Sequence, residues 1–223
     1  MSLLQLAYNI SLSLVHAQHY NERGMPTIVH SDIKPDQFLF QDGYYKLTDF
    51  NRAQFVKRKQ DDPNKQCTFR HQFIDGRWRA PEEYKHEPET EKIDVYSLGH
   101  VLYFLLVKDI PYHGWGKLET YDLSIKGEKP FIPEEITESH HPYERYMVEA
   151  INMCLTYDPN ERPGAREVAN KLQAGIRRLK MFQEVERRKN AGIGTPRLQF
   201  KRHKEPPTTP RLQFKRHKEP PTK

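Results

Sequence analysis

The stretch His30-Ser31-Asp32-Ile33-Lys34-Pro35-Asp36-Gln37, followed by Leu47-Thr48-Asp49-Phe50-Asn51, decides how this chain is read. Between the two lie Phe38-Leu39-Phe40 and Tyr44-Tyr45-Lys46-Leu47, which flank Gln41-Asp42-Gly43. An Asp-Gly between two aromatic, β-prone runs predicts a hairpin. A hairpin turns the chain back on itself, so the loop ahead of it and the Asp49 that ends it come together. Acids, a lysine and a carboxamide then fall in one place and in a fixed order.

Outward from this core, Leu3, Leu6, Ala7, Ile10, Leu14 and Val15 recur at helical spacing and predict an amphipathic helix over residues 2–19. Asn21 to Pro26 reads as a turn, and Ile28-Val29-His30 enters a loop. Residues 51–79 are polar, charged and without clear period, and read as a long loop of the functional or mobile kind. Lys92 to Leu106 contains the apolar run Val95 to Leu106, which suits a helix buried on most sides. Tyr143 to Leu155 is a further amphipathic helix. Asp158-Pro159-Asn160 makes a turn, and Pro163 opens a helix through Leu172, with charged helix or coil to about Lys189. Residues 195–208 recur letter for letter as residues 209–222. Two short proline- and charge-rich units cannot build a repeat core, so the end of the chain is expected to be disordered.

Charge is unevenly placed. Residues 173–223 hold 15 Lys and Arg against 4 Asp and Glu, a net of +11 within a chain total of +6, which leaves −5 for residues 1–172. The basic character therefore belongs to the tail, and the body gives no sign of nucleic-acid binding. The tail is a candidate contact for a protein partner or an anionic surface. Cys67 and Cys154 are too few and too far apart for a disulfide framework or a zinc site, which points to a reducing compartment, cytoplasmic or nuclear. No run is long and apolar enough to span a membrane. The apolar start lacks the basic leading region of a signal peptide.

The first stretch resembles the catalytic loop H-R-D-x-K-P-x-x-N of protein kinases, and Asp49-Phe50-Asn51 resembles their metal-binding D-F-G. The match extends along the chain. Ala80-Pro81-Glu82 looks like the A-P-E that closes a kinase activation segment. Asp94 to Gly99 looks like the start of the central buried helix, and Asp158-Pro159 with Glu161-Arg162-Pro163 resembles the closing helices. Order and spacing agree from residue 2 to about 172. Lys34 and Trp78 together resemble the tyrosine-kinase-like group of serine/threonine type. The fold expected is mainly α (α+β): the helical large lobe of a protein-kinase-like fold over residues 1–175, with a small β-hairpin. A charged helix or linker and a disordered basic tail would follow over 176–223.

What the resemblance implies is phosphoryl transfer from ATP, with Mg2+, to a protein serine or threonine. By position, Asp32 would be the general base at the acceptor hydroxyl, and Lys34 would balance charge on the transferred phosphate. Asp49 and Gln37 would hold metal, and Leu39 would floor the adenine. His30 and Phe50 would pack in the apolar column tying the site to the buried helix. Asp94 would hold the catalytic-loop backbone, and Glu82 and Arg162 would form a buried structural ion pair.

Several positions depart from the family pattern. Ser31 stands where many kinases carry the arginine that receives an activation-loop phosphate. Gln37 replaces asparagine and is one methylene longer, and Asn51 replaces glycine. Neither a G-x-G-x-x-G loop nor an anchoring V-A-I-K lysine occurs before residue 30. The chain is therefore expected to be a fragment with little activity alone, the intact gene product being the kinase. The alternative is a pseudokinase that serves as an interaction module. His71, His86, His140 and His141 read as solvated loop residues, and Cys154 as core.

Overall fold

The computed structural model describes residues 1–21, 24–72 and 74–191. The tail with its duplicated segment lies outside the described residues, and so does the expectation of disorder placed on it. The chain divides into two compact units, Met1–Glu184 and Val185–Lys223. The first unit holds both small sheets and the helices that pack on them.

The fold is mainly helical. Helix α1 spans Leu3–Ala17 and opens on Ser2, whose hydroxyl accepts the Gln5 backbone N–H at 3.2 Å. Its buried face carries Ala7, Ile10, Leu14 and Val15 of the set read from the sequence, together with Leu4, which was not in that set, while Leu3 and Leu6 are half-buried. Strands β2 (Phe38–Gln41) and β3 (Tyr44–Leu47) pair antiparallel in the register Phe38 to Leu47 and Gln41 to Tyr44. The connecting Asp42 and Gly43 have φ of 53° and 84°. Positive φ at both positions is the two-residue turn whose twist matches the strands, and Asp-Gly is suited to it.

Helix α3 (Lys92–Val107) is buried on nearly every side, as its unbroken apolar run requires. Helix α6 (Pro142–Cys154) packs across it at Gly99. A Cβ on Gly99 would stand 2.6 Å from the Cys154 Cβ, so only glycine permits this approach. Cys154 is fully buried, in keeping with a core role, and burial pushes its thiol pKa up.

Three features depart from the sequence reading. Ile28–Val29, read as the entry to a loop, forms strand β1 and pairs with β4 (Gln54–Phe55). The polar run after Asn51 is therefore fastened at its start, and isolated bridges Arg58–Gln66 and Phe69–Glu89 fasten it again. Two-residue strands fall below any periodic signal. Short helices α2 (Pro81–Tyr84) and α5 (Glu134–Thr137) and the polar α4 (Lys117–Ile125) were likewise not legible. The last helix, α7, opens at Ala165 rather than Pro163 and runs to Asn190, so the stretch after Leu172, read as charged helix or coil, is helix.

Candidate active site

The hairpin places the site. Thr48 donates both its backbone N–H (2.9 Å) and its hydroxyl (3.0 Å) to the Gln37 carbonyl. The residues on either side of the hairpin are thereby locked together, and the backbone leaves Asp49 in the left-handed region, φ 62° and ψ 66°. The loop is held from below by α3. One Asp94 oxygen accepts the His30 N–H and the other the Ser31 N–H, both at 2.8 Å. Ser31 itself has φ 66°, a strained conformation that these bonds sustain. The His30 ring nitrogen Nε2 meets the Thr48 carbonyl at 2.8 Å, and its ring lies edge-on to Phe50 at 4.9 Å.

Asp32 is the centre of charge. Its Oδ2 accepts Lys34 Nζ at 2.9 Å and Gln37 Nε2 at 3.0 Å. Its Oδ1 accepts Arg79 Nη2 at 2.8 Å and lies 4.0 Å from Arg52 Nη1. Burial pushes the carboxyl pKa up, but Lys34, Arg79 and Gln37 outweigh it and hold it below the ordinary carboxylate value. Gln37 Nε2 also donates to Asp49 Oδ2 at 3.2 Å, so one amide bridges the two acids. Asp49 is otherwise open to solvent. An exposed carboxylate beside a second carboxylate and an amide is a donor set of oxygens that fits a hard divalent cation. Gln37 fits less directly, because its nitrogen and not its oxygen faces both acids.

The sites assigned from sequence thus come together: Asp32, Lys34, Gln37 and Asp49 in one cluster, His30 and Phe50 against it, Asp94 beneath. Leu39, on the hairpin, has 56% of its surface exposed. Glu82 and Arg162 lie in a separate, buried place. Arg162 donates to Glu82 at 2.7 and 3.1 Å and to the carbonyls of Thr156, Tyr157 and Lys92, over the face of Tyr96. With its donors all engaged, this pair has no chemistry to offer and fastens the end of the activation segment to the base of the lobe.

The sequence reading missed three contributors. Arg52 and Arg79 flank Asp32, and Glu83 lies buried beside Arg79, with burial raising its carboxyl pKa to about 8. The signal in the sequence was the density of charge in Arg77-Trp78-Arg79-Ala80-Pro81-Glu82-Glu83, too polar for a run that turns out buried. His71 also departs from expectation. Read as a solvated loop residue, it keeps only 15% side-chain exposure and contacts Glu89 Oε2 at 2.7 Å. The strand pairing of Phe69 with Glu89 brings the two together.

A groove of about 160 Å3 opens next to this cluster, lined by Asp32, Lys34, Arg52, Asp75, Trp78 and Arg79 among others.

The family model for the protein kinase domain matches residues 5–172, so this chain belongs to the protein kinase family. Among curated proteins it is 26% identical over 171 residues to the probable serine/threonine-protein kinase drkC of Dictyostelium discoideum, covering 74% of this chain and 21% of that protein. It is 25% identical over 174 residues to the serine/threonine/tyrosine-protein kinase HT1 of Arabidopsis thaliana, covering 77% and 40%. With the serine/threonine-protein kinase ppk13 of Schizosaccharomyces pombe the identity is 28% over 178 residues, covering 71% and 47%. The matched region spans between about a fifth and a half of these relatives' length. Among the described residues no helix is long and apolar enough to cross a membrane.

Proposed function

We propose that the gene product carrying this domain transfers the γ-phosphate of ATP, with Mg2+, to serine or threonine of a protein. The observation that supports this best is the single cluster of Asp32, Lys34, Gln37 and Asp49, held on Asp94. In this reading Asp32 accepts the proton of the attacking hydroxyl, and its depressed pKa keeps it ionised at neutral pH. Lys34 places a cation beside the oxygens of the phosphoryl group in flight. Asp49 and Gln37 would hold magnesium, which when bound would neutralise charge on the nucleotide phosphates. Leu39 offers an apolar floor to the adenine. No phosphate-covering G-x-G-x-x-G occurs in these 223 residues, so little activity is expected from them alone.

The test is transfer of labelled phosphate by the full-length gene product, followed by phosphoamino-acid identification. The expected result is magnesium-dependent phosphoserine or phosphothreonine, with Asp49→Asn lowering the rate at least about a hundredfold through lost positioning. Equal rates for parent and variant would overturn the metal-side role of Asp49. The alternative reading, a pseudokinase that binds partners through its lobe, is favoured by the departures of Ser31, Gln37 and Asn51 from the family pattern. Absence of any transfer would support it.

A further inference from the structure

Ser31 leaves a gap that a different residue fills. Its hydroxyl is buried with no hydrogen-bond partner among the described residues. The guanidinium of Arg79 reaches the loop from the segment's side. Nη1 donates to the Ser31 carbonyl at 2.8 Å, Nη2 to Asp32 Oδ1 at 2.8 Å, and Nε to the Ile74 carbonyl at 3.3 Å. Nη1 also approaches Glu83 Oε1 at 3.4 Å. The side chain is buried, and one planar fork spans the catalytic loop, Ile74 in the segment and the first turn of α2.

We propose that Arg79 is a positioning residue: a built-in latch that aims Asp32 and holds the activation segment against the catalytic loop without a phosphate on the segment. This rests on the reading of Asp32 as the base. Where a catalytic-loop arginine waits for a phosphate, the segment stays loose until one is added. Here the cation belongs to the segment and its anion to the loop, so the pair closes as soon as the chain folds. The groups facing Asp32 are Lys34, Arg52, Gln37 and Arg79; those facing Arg79 are Asp32, Arg52 and Glu83. Glu83 takes a second, longer contact from the same Nη1 through its Oε1. Glu83 still accepts the Ala80 N–H at 2.7 Å and so fixes the turn that carries Arg79.

The test uses the full 223-residue chain, made in a bacterial host and confirmed by mass to carry no phosphate. Two readouts are compared for parent, Arg79→Met and Arg79→Lys: amide hydrogen exchange over residues 74–84, and titration of the Asp32 carboxyl followed by carbon NMR. The latch predicts a protected segment in the unphosphorylated parent. In Arg79→Met, exchange there rises at least about tenfold, as loss of charge-assisted hydrogen bonds implies, while α3 amides stay unchanged and Asp32 titrates higher. Arg79→Lys restores part of the titration shift but not the protection, since a point charge cannot make the fork. Parent-like exchange and titration in Arg79→Met would overturn the proposal, and so would an unprotected segment in the parent. Should Arg79→Met not fold, Asp32→Asn probes the same pair from the other side: a loosened segment supports the latch and an unchanged one refutes it. None of these readouts needs ATP, so the latch and the phosphoryl-transfer reading can fail separately.

Discussion

The His100 ring is closed inside the lobe among Tyr96, Tyr112 and Trp78, with neither ring nitrogen in good hydrogen-bonding geometry with any described residue. Burial drives its pKa from 6.5 to about 4. The unfolded chain therefore binds a proton that the folded chain refuses between those values. Stability from this residue is full above pH 6.5 and falls as pH drops toward 4, by on the order of 3 kcal/mol across the window. His100→Phe keeps an aromatic ring and removes the titration. Thermal unfolding measured from pH 7 to 4 is expected to fall less in the variant than in the parent; parallel curves would contradict the assignment. Glu83 runs the other way. Its pKa rises on folding from 4.5 to about 8, so its contribution is full below 4.5 and fades as pH climbs toward 8. At this scale the sequence was legible where motifs carry roles: Asp32, Lys34 and Asp49 fall together as expected. Arg79 and Glu83 were not, because burial of a charged run depends on what packs over it.

Among the elements, α3, the helix that carries Asp94, crosses α6 closely at Gly99. Gly99→Ala pushes a methyl against the Cys154 Cβ and the Leu155 side chain, at 2.6 and 2.9 Å before relaxation. Backbone must move, so the expected cost is about 1–3 kcal/mol, read as a lowered unfolding midpoint in urea. An unchanged midpoint would mean that the helices separate freely. Long periodic elements were legible in advance: α1, α3 and α6 lie where apolar spacing put them, and the hairpin turns on Asp42-Gly43. The β1–β4 pair and α4 were not. Two residues of strand carry no alternation, and α4 is a polar helix whose buried positions are Thr120 and Ser124.

Across the whole domain, two polar assemblies divide the labour. The buried Glu82–Arg162 pair and Asp94 are structural: each satisfies backbone or charge inside the lobe and faces no solvent. The cluster around Asp32 is the reverse, with an exposed Asp49, an open groove and the cations Lys34, Arg52 and Arg79 gathered at Asp32. The family's order of motifs made this division readable from sequence. What it did not reveal is that the activation segment is tied down by its own arginine, because Ser31 announces only that something is missing.

The measurement that tests the central claim most directly is the rate of γ-phosphate transfer by the full-length gene product against Asp32→Asn. Asparagine keeps the shape and the contacts to Lys34 and Gln37 in outline but cannot take a proton. The account predicts measurable transfer by the parent and a loss of at least about a hundredfold in the variant, with nucleotide binding retained. Equal transfer by the two proteins, or none by the parent, would contradict it.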